Sequence, residues 1–375
     1  MPLKSRNILQ KADPVFVVLS GVLLLVGLII LQSASGYVSY TRYGGAYVEL
    51  IKQLKFGVIP GIILFFLFAN INYRWLKRLS GIGWVSVIVL NILIFLPGIG
   101  VTVNGATRWI KIGSIQIQPS EILKLALIIY LGALLTSLDK KINQKRSLFI
   151  VAAVMAISSV IVLYFQSNLS TGAILLVISI SMIFQSKIKT QYIFGFFGVL
   201  VIAGILSIAT VEYRRDRVKT LFQPKQSQTE KDGSAYQINN NLIAVGSGGL
   251  FGVGWGESRQ KFGYLPEVST DSIFAIFAEE SGFVGVALLV SLFLSIILRI
   301  LWLASQVEDY FGRYILIGAA TWLALQTFIN IATTIRLFPV TGVPLPFISS
   351  GGTSLLVFCI LFGIISNISQ YRVHK

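Results

Sequence analysis

Apolar residues in this chain fall into long, nearly unbroken runs, unlike the spaced stripes of a soluble amphipathic helix. The runs cover about 14–31, 54–71, 80–98, 119–136, 147–165, 168–185, 191–210, 273–298, 314–334 and 352–369. Each is close to the roughly 20 residues a helix needs to cross a bilayer. The pattern therefore predicts an all-α polytopic membrane protein with ten transmembrane helices. The sixth run is short and contains serines, which blurs its ends. A large loop, about 211–272, separates helices 7 and 8, so residues 1–375 read as a single membrane domain with one large excursion. No internal repeat or heptad pattern interrupts this scheme.

Composition supports the same class. The 375 residues are 55% hydrophobic and 12% charged, whereas a soluble domain carries roughly 25% charged residues. The net charge of +16 in a soluble protein would suggest nucleic acid. Here it falls mostly in short loops. With the N-terminus inside, Lys4, Arg6, Lys11, Arg74, Lys77, Arg78, Lys140 and Lys141, among others, face the cytoplasm, as short cytoplasmic loops favour. Both termini are then cytoplasmic, the large loop is extracytoplasmic, and no nucleic-acid partner is needed. The first run lacks a small-residue cleavage site and reads as a retained span.

One cysteine, Cys359, and one histidine, His374, exclude an intrachain disulfide, a cysteine metal cluster and a histidine-based triad. Proton transfer must rest on carboxylates, lysine or tyrosine.

Four stretches carry candidate chemistry. Asn104–Gly113 reads N-G-A-T-R-W-I-K-I-G, and Arg108, Trp109 and Lys111 there suit either an interfacial anchor or a ligand. Gln118–Lys124 reads Q-P-S-E-I-L-K and places Glu121 and Lys124 three apart on one helix face. Such groups below the membrane surface either lock helices together or line a cavity. The basic stretch V-E-Y-R-R-D-R-V-K, Val211–Lys219, faces outward and suits an anionic partner or acidic headgroups. The fourth, Gly246–Asp271, holds seven glycines, the cations Arg259 and Lys261, and Asp271 at its end. Asp271 suits a helix cap as well as a general base. Glu279 and Glu280 follow inside the apolar run and require partners or protons. The glycines form no P-loop, since no G-K-[ST] follows; they signal close backbone approach. A stiff Pro339–Ser354 stretch, P-V-T-G-V-P-L-P-F-I-S-S-G-G-T-S, precedes the last run and could line the same cavity.

Taken together, G-A-T-R-W-I-K-I-G…Q-P-S-E-I-L-K, the stretch from G-S-G-G-L-F-G to S-T-D-S-I-F-A-I-F-A-E-E-S-G, and P-V-T-G-V-P-L-P-F-I-S-S-G-G-T-S-L resemble the SEDS proteins (shape, elongation, division and sporulation). FtsW, RodA and SpoVE are familiar members, and S-R-Q-K-F-G-Y-L-P-E and Y-R-R-D-R look closest to the FtsW division branch. The resemblance implies a peptidoglycan glycosyltransferase of the bacterial plasma (inner) membrane. It would polymerise lipid II, an undecaprenyl-diphosphate-linked disaccharide-peptide, for cell division or cell shape. It implies Asp271 as the essential residue, with Glu121, Lys124 and Trp109 at the family's site positions. A class B penicillin-binding protein, whose transpeptidase crosslinks the strand, and other division or elongation proteins are the implied partners.

Asp271 could take the proton of the attacking sugar hydroxyl, and Arg108, Lys111, Arg259 and Lys261 are candidates to hold the departing diphosphate. No cofactor is required, although a divalent cation, magnesium or manganese, is compatible with that chemistry. Four positions depart from the family pattern: Ser269, Asn168, Ser350 and Arg336. The competing readings are a lipid II flippase, for which membrane-embedded carboxylates also suit a path, and a division scaffold that docks through the loop.

Overall fold

A computed structural model describes residues 11–103, 106–113, 115–192, 194–196, 198 and 233–373. The first helix, α1 (Pro14–Tyr43), begins where the sequence supplies two start signals. Pro14 occupies the first helical position, and the Asp13 carboxylate accepts the Phe16 amide at 2.8 Å. α2 (Val48–Gln53) continues through a π turn, Leu54–Val58, into α3 (Ile59–Asn70). α4 (Arg74–Leu93), α5 (Pro119–Leu138), α6 (Lys145–Val160) and α7 (Leu169–Phe184) follow. After the large loop's helix, α8 (Ser234–Ser247), come α9 (Ile273–Gln306), α10 (Tyr310–Thr334) and α11 (Gly352–Ser369).

Among the described residues, eight helical stretches are long and apolar enough to cross a membrane, counting α2–α3 as one. The expected sixth span is present as the shorter apolar helix α7. The expected seventh, 191–210, lies largely outside the described residues, as do the Val211–Lys219 stretch and the rest of the loop to residue 232.

Three helices form the centre. In α5, α10 and α11, 56%, 67% and 72% of the apolar window is buried in protein, against 17% in α4 and 22% in α2–α3. The outer helices turn their apolar surface to lipid, which leaves the inner three as the place where polar side chains can sit. α11 packs closely on α3, and a methyl group on Gly363 would collide with the Phe65 carbonyl. Small residues allow such backbone approach where no hydrophobic force drives helices together.

At one end of the bundle the first and last described segments meet. The Asp13 amide donates to Ser369 Oγ at 2.9 Å, and the Asp13 carboxylate receives Arg299 (2.6 Å) and Arg372 (3.0 Å). At the opposite end the fold departs from all-helical. Gly100–Ile117 forms a three-stranded antiparallel sheet, β1 (Gly100–Val103), β2 (Ala106–Ile112) and β3 (Ile115–Ile117), in order β1-β2-β3. The alternation A-T-R-W-I-K-I is the strand period that the loop reading passed over. The chain is thus mostly helical, with one small sheet at the membrane surface.

Candidate functional site

The glycine-rich run has a specific task. α9 is broken at Gly282, where φ is 63° and ψ −167°. A break inside a membrane helix strands backbone groups that hydrocarbon cannot satisfy. Here the glycine-rich run satisfies them. Val253 and Gly254 donate to the carbonyls of Glu279 and Glu280 at 3.0 and 3.2 Å. The amides of Phe283 and Val284 donate to Gly249 and Leu250 at 2.9 and 3.1 Å. The two backbones lie so close that a methyl on Gly252, itself at φ 83°, would collide with the Glu280 carbonyl.

The paired glutamates fix the same segment. Glu279 accepts Ser258 Oγ at 2.5 Å and the amides of Arg259 and Gln260 at 3.1 and 3.4 Å. Glu280 pairs with Lys261 at 2.8 Å and accepts Ser33 Oγ of α1. Both carboxylates are 2% exposed. The Lys261 ammonium also donates to the Gly256 carbonyl at 2.6 Å. Its charge is therefore paired inside the fold, while its side chain lines a cavity with Ser33 and Trp255. Arg259 remains exposed.

Asp271 stands just ahead of α9, whose capping position falls on Ser272, the next residue. The loop before α11 wraps around it. Ser349 Oγ donates to the Thr270 carbonyl at 2.6 Å, and the Ser350 amide donates to the Ser269 carbonyl at 2.7 Å. Asn330 of α10 donates through Nδ2 to the Asp271 carbonyl at 3.3 Å and to the Val343 carbonyl at 2.9 Å. A methyl on Gly342 would sit 3.5 Å from Asp271 Oδ2. A bulkier residue at Gly342 would therefore crowd the carboxylate.

One turn away on α10, Gln326 reaches the second polar group. Lys124 Nζ pairs with Glu121 at 2.6 Å and donates to Gln326 Oε1 at 2.8 Å. Lys124 also lies over the Trp322 ring, 4.8 Å from its centre, and Gln326 Nε2 donates to the Pro344 carbonyl at 3.0 Å. Glu121 and Lys124 are 2% and 1% exposed. Residues four apart share a helix face, so Gln326 and Asn330 join the Glu121–Lys124 pair and Asp271 to one loop, Val343–Pro344. Several buried oxygens here have no partner among the described residues: Glu121 Oε2, Thr327 Oγ1, Asn330 Oδ1 and Thr341 Oγ1. Buried acceptors without partners mark a place for water or for a hydroxyl-bearing ligand.

The sheet borders this group. Thr353 Oγ1 at the start of α11 donates to the Gln116 carbonyl at 3.1 Å and accepts the Gln118 amide at 3.2 Å. Successive strand side chains alternate between faces, so Arg108 is on one face of β2 and Trp109 and Lys111 are on the other. Arg108 donates to the carbonyls of Gln166 and Ser167 at 2.9 and 2.7 Å and clamps the α6–α7 turn. Trp109 is half-buried and Lys111 exposed.

The structure therefore links Asp271, Glu121 and Lys124, and sets Trp109 and Lys111 on the adjoining sheet. It joins Arg108 to the α6–α7 turn and pairs Lys261 with Glu280. Sequence reasoning missed Gln326, Asn330 and Gly342. Two amides one turn apart in an apolar run were the available signal. Among the described residues no three His, Cys, Asp or Glu side chains converge on a metal site. A divalent cation here would take most of its ligands from phosphate and water.

The family model described as "Cell cycle protein", covering FtsW, RodA and SpoVE, matches residues 14–374. Stage V sporulation protein E of Bacillus subtilis (strain 168) is 36% identical over 360 residues, covering 96% of this chain and 97% of that protein. A probable peptidoglycan glycosyltransferase FtsW of Geobacter sp. (strain M18) is 33% identical over 358 residues, covering 95% and 96%. Among solved structures, a chain from a peptidoglycan synthase complex, described for the coordination of polymerization and crosslinking, superposes with a TM-score of 0.79. It is 23% identical and the match covers 97% of this chain and 99% of that one. The rod shape determining protein RodA of Thermus thermophilus gives 0.70, at 24% identity over 97% and 98%. These two likenesses show the fold.

Proposed function

The chain belongs to the FtsW, RodA and SpoVE family, and on that premise we propose that it is a peptidoglycan glycosyltransferase that polymerises lipid II in the membrane, with Asp271 as its general base. The FtsW names among its relatives agree with a place near the division branch. The observation that carries the site assignment is the convergence of three distant stretches on Asp271. They are the end of the glycine-rich loop, Asn330 of α10, and the Gly342–Ser350 loop.

In this reading Asp271 removes the proton from the 4-hydroxyl of the acceptor sugar. The oxygen attacks the anomeric carbon of the donor, the bond to the diphosphate breaks, and undecaprenyl diphosphate leaves with inversion. Lys111 on β2 and the exposed Arg259 of the glycine-rich loop supply the membrane-surface cations that stabilise the departing diphosphate. Trp109 offers its half-buried ring as a platform. The Glu121–Lys124 pair acts through Gln326, holding the loop that flanks Asp271. A divalent cation, if bound, would add charge at the diphosphate.

The large loop faces the extracytoplasmic side and both termini the cytoplasm. The Asp13–Ser369 bond supports the second point, because it puts both ends of the described chain at one end of the bundle. A class B penicillin-binding protein is the partner this reading implies. The synthase complex that shares the fold couples polymerization to crosslinking, which supports it.

Purified protein given lipid II in detergent, with and without such a partner, tests the proposal. Wild type should make glycan chains, and Asp271→Asn and Asp271→Ala should make none. Near-normal chains from both variants would remove Asp271 from the mechanism. Labelled lipid crossing liposomes without chain formation would favour a flippase.

A further inference from the structure

At the end of the bundle opposite the sheet, the last turns of α5 and the first turn of α10 enclose a cavity of about 590 Å³. It is lined by Thr136, Ser137, Asp139, Lys140, Lys141 and Tyr310, with Leu138. Its single carboxylate is already neutralised, since Lys187 pairs with Asp139 at 2.7 Å. Tyr310 lies between the same Lys187, whose Nζ is 5.4 Å from its ring centre, and the Arg313 guanidinium, 5.6 Å away. Arg313 donates through Nη2 to the Val307 carbonyl at 2.9 Å, but its buried Nε has no acceptor among the described residues. Lys140 and Lys141 line the cavity and Lys187 and Arg313 flank it through Tyr310, so its cations outnumber its one carboxylate and an anion would balance them.

Its level in the membrane identifies the anion. α5 and α10 are both candidate spans, and the cavity opens where they end. The half-exposed Tyr310 is the aromatic expected at headgroup depth. A phosphate at that depth belongs to a lipid, and basic pockets between helix ends are suited to acidic headgroups. We propose that this cavity binds the phosphate headgroup of an anionic membrane phospholipid, bridging the ends of α5 and α10.

The site has a reach beyond its own edge. α5 carries Lys124 and α10 carries Gln326 and Asn330 towards their other ends, and the two helices pack tightly between. A methyl on Gly318 would stand 3.0 Å from Ile128, and one on Gly132 3.3 Å from Tyr314. A lipid that clamps one end of this pair steadies the helices that hold the candidate site. The inference does not depend on what that site does.

Thermal unfolding of the full-length protein in a neutral detergent tests it. Short-chain phosphatidylglycerol, phosphatidylcholine or inorganic phosphate is added at equal concentration. Phosphatidylglycerol should raise the midpoint by several degrees, and the other two should not. The exposed-lysine variant Lys140→Gln/Lys141→Gln, and separately Arg313→Gln, should lose at least half of that rise. Lys77→Gln/Arg78→Gln, at the same end of the bundle on α4, should keep it. An equal rise with phosphatidylcholine or with inorganic phosphate would overturn the proposal. So would retention of the rise in Lys140→Gln/Lys141→Gln, or an equal loss in Lys77→Gln/Arg78→Gln, which would reduce the effect to general surface charge.

Discussion

Asn330 holds Asp271 by its backbone: the Asn330 amide nitrogen donates to the Asp271 carbonyl at 3.3 Å while also holding Val343 at 2.9 Å. One side chain thus fixes the distance between the carboxylate-bearing segment and the loop that covers it. Asn330→Ala removes both bonds and leaves two carbonyls to find new partners, at about 1–3 kcal/mol for each one buried. We expect turnover in lipid II polymerisation to fall at least about tenfold, since a shift of about 1.4 kcal/mol in the barrier is tenfold in rate. Steady-state rates check this, and wild-type turnover in Asn330→Ala would show that the amide does not position Asp271.

The Glu121–Lys124 pair should show strong non-additivity. Lys124→Met leaves a buried carboxylate without its cation, and breaking a buried pair costs about 3–5 kcal/mol. Adding Glu121→Gln removes the stranded charge and should recover most of that loss. Activity should stay low in both proteins, because Gln326 has lost its tie to Lys124. Unfolding midpoints for the singles and the double form the cycle. Simply additive losses would mean that the two charges do not act as a unit.

Gly282→Ala should be among the most damaging small substitutions. Its φ of 63° is unfavourable for alanine, and the new methyl would strike the backbone of Leu250 and Gly252. Strain of about 1–3 kcal/mol adds to a similar overpacking cost. The expected result is reduced yield of folded protein and faster proteolysis of the 248–260 segment. Gly83→Ala, whose methyl meets nothing within 4 Å, is the control that should behave as wild type.

Acid should weaken the end where the termini meet. Burial pushes the Asp13 carboxyl up, but the Arg299 guanidinium, the Phe16 amide and the charge of Arg372 outweigh it. They hold the carboxyl below its ordinary value of 3.8. A carboxyl lowered in the folded state stabilises fully above its unfolded value and loses that contribution as pH falls through the folded one. Asp13→Asn should therefore unfold at a lower temperature than wild type at neutral pH, with the gap narrowing below about pH 4. Midpoints measured from pH 7 to 3 decide it; a gap independent of pH would place the effect in packing instead.

Much of this architecture is legible in the order of residues because membrane helices are encoded locally. A run such as 314–334 must be a helix wherever it lands, since its backbone has no other way to satisfy itself in hydrocarbon. The Glu121–Lys124 pair is legible for the same reason, being three residues apart on one helix. What was not legible depends on distant partners. The glycines at 248–254 make sense only against a helix break some thirty residues later, as a count from the numbering shows. Lys261 reads as a free cation until Glu280 is folded onto it. The sheet at 100–117 was written in plain alternation, but its strands are short and lie next to strongly apolar runs. Asn330 and Gln326 look like tolerated polar residues until the loop they hold is in view.

The break at Gly282 also changes what α9 is. Its first part, Ile273–Ser281, is tied to the glycine-rich segment through two backbone bonds and two buried carboxylates, and two further backbone bonds tie the part beyond the break to the same segment. Asp271 stands two residues ahead of that stub, where Asn330 also holds it. Ser33 reaches the stub from α1 through Glu280. The Asp271 segment is therefore held from two sides, by Asn330 and the loop before α11 and, through the stub, by the glycine-rich run. Phe251 and Trp255, exposed on the glycine-rich run, belong to the second of these supports.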